Sequence, residues 1–448
     1  MKCRIALFCS CLFFFCQPVI AEELPATQVN DFETKAPQNP YLVPAMPYTE
    51  SPFVQQSTGN VIGEFIGGKT GYIHPYVGLA EYYTDNLFNA DSGREDDFYT
   101  RITPGIWVVL PASRYPLRQL STLNTAPGGL ALSRIRTRGK TRIEAYGGYQ
   151  ADIFEHSQFS SQDHVNQKAE GFFRYNFRGG LSMEVLNIYE LNRDPYGTGD
   201  SDTLDKYWSN LVNAAVSYEI SSKTRVEGEY SFFTLSYDRD RLEFRDRDDN
   251  SFVLRGYYRV LPKTAALVEY NYINIDYDEE EQLDSDEHRG YLGFEWDQSG
   301  KSRWRLMVGA GLKDFDGANG DDDVNLLTEI QFLHRFTPKT YAELRASRTT
   351  NETDSLDSDY TLVHRIQLKY YQRFTPRFIA ALNTYYENTD YKGDSREDDR
   401  IGAGIDLKYT LTNWMALSGG YFFVTRDSDV DGSDYDKNTA YLSLIFSL

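Results

Sequence analysis

From residue 72 to its end the chain repeats stretches of about ten residues in which apolar and polar side chains alternate, joined by connections that are short and long in turn. A period of two places successive side chains on opposite faces of a strand. Over residues 98–110, Phe98, Ile102, Pro104, Ile106, Val108 and Leu110 share one face, while Tyr99, Arg101, Thr103, Gly105 and Trp107 share the other. Ile143, Ala145 and Tyr149 oppose Arg142, Glu144, Tyr146, Gln150 and Asp152 in the same way. Charges keep to one face, and a boundary with hydrocarbon demands that. The pattern predicts an all-β, transmembrane antiparallel up-and-down barrel of about 18 strands, with 16 as the alternative count. Mean hydropathy is only −0.53, as expected where every second strand residue is polar.

Turn chemistry fixes the parity. After even-numbered strands come Arg178-Gly179-Gly180, Ser221-Ser222-Lys223, Pro262-Lys263, Thr337-Pro338-Lys339, Thr375-Pro376-Arg377 and Thr412-Asn413, all compact hairpin turns. An even count returns both ends of the barrel to one side, the periplasmic one in an outer membrane. Residues 112–139 break the rule with a long connection where a short one is due. They carry Arg114, Arg118, Arg134, Arg136 and Arg138, and are read as a mobile insertion, with docking of a partner as the other use.

Residues 1–21 have the form of a secretory signal: Lys2 and Arg4, an apolar run over 5–15, and a small-residue exit at Ala21. All four cysteines (Cys3, Cys9, Cys11 and Cys16) fall inside it, so no disulfide is expected in the mature chain. Residues 22–71 are rich in Pro, Gln, Asn and Thr without sustained period. They read as a flexible periplasmic arm that enters the lumen, grips a partner or is a plain leader. The barrel is then assigned to 72–448.

The chain carries a net charge of −20, and its acids gather in the long connections after odd-numbered strands. Two uses follow: attraction of cations, or divalent bridging to outer-membrane lipid and lipopolysaccharide. Solvated loops are the bland alternative. One loop, with Asp427, Asp429, Asp431, Gly432 and Asp434, resembles the start of an EF-hand calcium loop, but Asn438 stands at its twelfth position where Glu is needed. These four aspartates are the only metal candidates.

The charged set of the inward face predicts pore-lining residues: Arg101, Arg142, Glu144, Arg225, Glu227, Glu229, Arg255, Arg259, Glu269, Arg305, Glu343, Arg345, Arg365 and Lys369. The mixture of signs argues against a dedicated polyanion path. Paired aromatics such as Tyr82-Tyr83, Phe232-Phe233, Tyr370-Tyr371, Tyr385-Tyr386 and Phe422-Phe423 suit interfacial girdles, and inward rings such as Trp107 and Tyr146 a stacking track for sugars. The six histidines are dispersed and belong to no helical metal motif or nucleophile elbow. No enzyme, cofactor or nucleic-acid partner is expected.

The segments IHPYVGLAEYYTDNLF at 73–88 and DFYTRITPGI at 97–106 resemble the first hairpin of the beta-barrel porin 2 family, outer-membrane barrels often associated with exopolysaccharide gene clusters. The resemblance implies a channel in the outer membrane of a Gram-negative bacterium, serving as the exit for an exopolysaccharide handed over by a periplasmic export protein. A non-conducting structural or adhesive barrel is the alternative, and an outer-membrane hydrolase a more remote one. The apolar face Ala440, Leu442, Leu444, Phe446 and Leu448 has the form of the closing strand read by the barrel insertion machinery.

Overall fold

A computed structural model describes residues 72–111, 122–129, 141–194, 204–279, 282–297, 301–316 and 323–447. The expected signal and the arm at 22–71 lie outside them. The strands are β1 (Ile73–Thr84), β2 (Asp97–Leu110), β3 (Ile143–His156), β4 (His164–Asn176), β5 (Leu181–Arg193), β6 (Lys206–Glu219), β7 (Thr224–Tyr237), β8 (Arg247–Leu261) and β9 (Thr264–Tyr277). They continue as β10 (Ser285–Asp297), β11 (Ser302–Phe315), β12 (Asp323–Thr337), β13 (Thr340–Asn351), β14 (Tyr360–Arg373), β15 (Phe378–Lys392), β16 (Glu397–Thr412), β17 (Met415–Ser428) and β18 (Tyr435–Ser447).

Each strand pairs antiparallel with its sequence neighbours in one 18-stranded sheet. The sheet closes where β1 meets β18, from Tyr76↔Ser447 to Thr84↔Thr439. Closure pairs the first strand with the last and so removes the two free edges of an open sheet, the condition for strands to cross a bilayer. The count of 18 is the one expected, and 16 is excluded.

Alternation of exposure follows the sequence period. In β1, Ile73, Val77 and Leu79 are exposed on the outer face, while His74, Tyr76, Ala80 and Tyr82 are buried toward the interior. Several strands run further than their apolar pattern: β8 begins at Arg247 and β15 ends at Lys392. A strand of 14 residues is about 46 Å long at 3.3 Å per residue. Tilted by about 40°, it spans roughly 35 Å, more than an apolar band of about 25 Å. The surplus emerges at the end bearing the long loops. There the outer face is itself polar, as in the bonds from Tyr230 Oη to Asn250 (2.8 Å), Thr234 Oγ1 to Asp248 (2.7 Å) and Tyr272 Oη to Asp286 (2.9 Å). Hydropathy stops marking a strand where the lipid stops.

The short turns are closed by hydroxyls and glycines. Thr375 Oγ1 accepts from the Arg377 and Phe378 amides (3.2 and 3.0 Å), and Ser221 Oγ does the same for Lys223 and Thr224 (3.2 and 3.1 Å). Gly179 and Gly180 take φ of 95° and 88°, values that a side chain disfavours.

The aromatic pairs correct the expectation of girdles. Because neighbours in a strand face opposite ways, only one ring of each pair meets lipid. Tyr370 and Tyr386 are exposed, whereas Tyr82, Phe233, Tyr371, Tyr385 and Phe422 are buried on the inner face.

A candidate gate inside the barrel

The 14 charged candidates separate by position. Most stand on the inner wall, where side chains of adjacent strands lie close enough for an acid to meet a base. Glu144 binds Arg174, which also binds Glu184 (2.8 Å each). Arg225 lies 3.9 Å over the Tyr257 ring and 3.2 Å from Glu227. Glu229 and Glu269 share Arg255 at 2.6 and 2.5 Å, and Arg305 lies 3.5 Å from Glu269 and 3.2 Å from Glu295. Arg345 binds Glu343 (2.5 Å), whose register partner is Lys369. Arg365 donates to Glu387. Arg101 lies 5.2 Å over the Tyr82 ring and 4.0 Å from Asp152. The wall is thus a ladder of alternating signs that neutralises itself.

Two candidates fall elsewhere. Arg142 precedes β3 and is exposed, its Nε donating to Tyr175 Oη (2.8 Å) on the outer face. Counting parity beyond the end of a strand misplaced it. Arg259 is exposed at the short-turn end of β8, so it belongs to the rim. Nor do the calcium candidates converge. Asp427 is still part of β17, Asp434 accepts from the Ser428 amide (2.8 Å), and Gly432 at φ 82° closes a tight hairpin. Among the described residues no group of three or more potential ligands is poised for a metal.

What the sequence did not reveal lies in the interior. The β2–β3 connection leaves from and returns to the short-turn end, yet residues 122–129 lodge inside the barrel near the opposite end. Thr122 Oγ1 donates to Glu190 (2.7 Å), Asn124 Nδ2 to Asp194 (3.3 Å), and the Gly128 amide to Asp249 (2.9 Å). Arg247 donates to the Asn124 carbonyl. The backbone at Gly129 lies so close to β7 that a Cβ there would be 2.2 Å from the Phe233 ring. Ala126, Pro127, Gly128 and Gly129 are all buried. Where a mobile insertion was expected, its described core is docked on β5, β7 and β8.

A second element enters from the long-loop end. Register between β12 and β13 stops at Thr328↔Arg348 although both strands continue. Arg348 Nη1 donates to the Leu326 carbonyl (2.8 Å) on the edge so exposed. Past that point the β13–β14 hairpin folds inward. Thr350 Oγ1 bonds Glu287 (2.6 Å) and accepts from Arg289 (2.8 Å), and Glu352 bonds Lys313 and Tyr277 (2.8 Å each). Gln282 Nε2 donates to the Ser355 carbonyl (3.3 Å), and Tyr391 Oη to Asp354 (3.2 Å). The two intruding elements join where the Glu352 amide donates to the Thr125 carbonyl (2.7 Å). Together they touch strands β5 to β11 and β15.

Buried ion pairs hold this layer: Arg245–Asp194 (3.0 Å), Arg247–Asp249 (3.0 Å), Arg289–Glu287 (2.8 Å) and Lys313–Glu352 (2.8 Å). Burial pushes the Asp194 carboxyl above its ordinary range despite Arg245 and the bond from Tyr237 Oη (2.6 Å). Of these, Asp194, Arg245, Arg247, Asp249, Glu287 and Glu352 stood in what read as long acidic loops, whereas Arg289 and Lys313 fell within expected strands. A signal was nonetheless available: Arg225/Glu227, Arg247/Asp249, Glu287/Arg289, Glu343/Arg345 and Arg396/Asp398 are opposite charges two positions apart, a spacing that shares one strand face.

A closed 18-strand barrel with an apolar exterior, a charge-paired interior and short turns at one end meets the family model for Putative beta-barrel porin 2 over residues 52–447. The chain belongs to that family. This porin-like outer-membrane barrel matches no curated protein in sequence. Among solved structures it is similar to OpdK from Pseudomonas aeruginosa, with 10% identity and a TM-score of 0.42, covering 84% of this chain and 99% of that one. It is also similar to P. aeruginosa OccK2 (OpdF), solved in complex with glucuronate (11%, TM-score 0.45, 84% and 100%), and to a BenF-like porin from Pseudomonas fluorescens Pf-5 (11%, TM-score 0.44, 85% and 100%).

Proposed function

We propose that this porin is a gated outer-membrane channel for small polar solutes, its gate being the pair of elements lodged in the lumen. The observation that carries the reading is the contact between Thr125 and Glu352: a connection rooted at the short-turn end meets a hairpin rooted at the long-loop end, inside the wall. In an outer membrane the short-turn end faces the periplasm, so the gate is coupled to both compartments. A barrel of this size is wide enough for an aqueous lumen once such elements move. The wall around it offers paired charges, which suit uncharged or mixed-charge solutes and select weakly by sign. The ladder residues Arg101, Glu144, Arg225, Glu227, Glu229, Arg255, Glu269, Arg305, Glu343, Arg345, Arg365 and Lys369 line that path.

Export of an exopolysaccharide is the second reading. Interior rings favour it: Tyr82 stacks between Tyr99 (4.9 Å) and Tyr441 (5.5 Å), and His74 on Trp107 (3.8 Å). This use needs a periplasmic export partner and full withdrawal of both elements. Lipopolysaccharide around the acidic rim and the insertion machinery at β18 are the other partners proposed.

Replacing residues 112–139 by a short Gly-Asn turn tests the gate. In planar bilayers the variant is expected to conduct in larger and longer steps than the full chain. Equal conductance would remove the gate, and no steps from either protein would favour the non-conducting barrel.

A further inference from the structure

The carboxylate of Glu352 is held at both oxygens by groups of the wall. Lys313 Nζ lies 2.8 Å from Oε1, and Tyr277 Oη donates to Oε2 at 2.8 Å. Lys313 belongs to β11 and Tyr277 to β9, whereas Glu352 arrives on the in-folded hairpin. All three are buried, with exposures of 1% for Glu352 and Lys313 and 7% for Tyr277. The seat is therefore part of the barrel, and the anion filling it is delivered from a separate element.

The neighbouring wall acids are engaged by other cations. Glu287 accepts two bonds from Arg289 (2.8 Å each), and Asp249 accepts from Arg247 (3.0 Å). Lifting the hairpin would take Glu352 from Lys313 and open the seat to the lumen; the acid then left beside Lys313 is its register partner Glu287, which Arg289 already holds through two bonds. Such a vacancy draws in another anion. A carboxylate fits it best, because one oxygen meets the ammonium while the other accepts from a phenol.

We propose that Lys313 and Tyr277 form a binding site for the carboxylate group of a solute in transit, and that Glu352 is a resident surrogate which the solute displaces as the hairpin lifts. This rests on the channel reading above and narrows its mixed-charge solutes to a substrate class: small solutes that bear a carboxylate. It also couples entry to opening, since a solute that takes the seat holds the hairpin out.

The test uses the full-length barrel in detergent, with acetate as probe and acetamide as the uncharged control. Saturation-transfer NMR should show saturable acetate binding to E352A, at least about tenfold weaker in E352A/K313M, and none of comparable strength for acetamide. E352Q, which keeps the side-chain volume, serves if E352A fails to show the heat-dependent gel shift of a folded barrel. Equal acetate binding with and without Lys313, or equal binding of acetamide, overturns the proposal. In bilayers, acetate replacing chloride at equal ionic strength should lengthen openings of the unaltered protein and leave E352Q unchanged. Conductance without any Lys313-dependent acetate binding refutes the seat and keeps the channel; Lys313-dependent binding in a barrel that never conducts keeps the seat and refutes the channel.

Discussion

Gly129 shows how narrowly residues 122–129 are fitted inside the barrel. Its φ of 68° lies in the left-handed region, and a Cβ would stand 2.2 Å from the Phe233 ring. Gly129→Ala therefore meets both backbone strain of about 1–2 kcal/mol and a collision with the Phe233 side chain of β7, while the backbone pairing of β7 with β6 and β8 is left as it is. Docking of 122–129 should weaken by roughly tenfold or more, and proteolysis between residues 112 and 139 should accelerate while the heat-dependent gel shift stays unchanged. An unchanged cleavage rate would show that the segment is not held where the structure places it. Asp194 offers a pH handle on the same contact. Its folded pKa is raised by burial, against Arg245 and Tyr237, with Asp354 adding to the rise. A carboxyl that binds its proton more tightly when docked than when solvated favours the docked state as pH falls toward that raised value, and opposes docking above it. Lowering the pH should therefore lower open probability, and Asp194→Asn should flatten the dependence. Opening on acidification in a manner that needs Asp194 would contradict the sign.

Among the elements, those facing lipid were legible and those facing inward were not, for a physical reason. Hydrocarbon imposes a strict rule on each outward position, so Ile106, Val108 and Leu110 betray β2 in the sequence, and the turns at Arg178-Gly179-Gly180 and Thr375-Pro376-Arg377 punctuate it. Beyond the lipid both faces of a strand are polar, so the first residues of β8, Arg247 to Asn250, read as loop. The same ambiguity hid the hairpin after Arg348. Its residues Thr349, Thr350 and Asn351 are polar in either setting, and only the lost pairing with β12 shows that they turn inward. The lumen segment 122–129 was harder still, because a tripeptide such as Pro127-Gly128-Gly129 carries no period. Closure rests on β18 in the opposite way, with residues 439–446 paired on both edges. It pairs with β17 from Met415↔Phe446 to Arg426↔Tyr435 and with β1 from Tyr76↔Ser447. Removing residues 439–448 should abolish the heat-dependent gel shift, whereas normal insertion of the shortened chain would mean that β1 and β17 can close alone.

For the molecule as a whole, the distribution of charge matters more than its sum. The wall ladder pairs its acids and bases at up to 4.0 Å, from Arg255–Glu269 (2.5 Å) to Arg101–Asp152, so little of the net charge of −20 arises there. The excess resides at the long-loop rim, in residues such as Asp278, Glu279, Asp427, Asp429 and Asp431. A ring of negative charge at one mouth and a self-neutralised interior make distinct predictions for ion selectivity. Exposed rim charges act through water and are screened within about 10 Å at 0.1 M salt and about 3 Å at 1 M, whereas charges buried in the wall are screened far less. The gate-deleted barrel should therefore prefer cations across a potassium chloride gradient centred near 0.1 M, with the reversal potential falling toward zero near 1 M. Neutralising Asp427, Asp429 and Asp431 together should reduce the low-salt preference without changing the conductance at 1 M. Selectivity that survives high salt would place the selecting charges on the wall, and the ladder would then be incompletely paired in the open state.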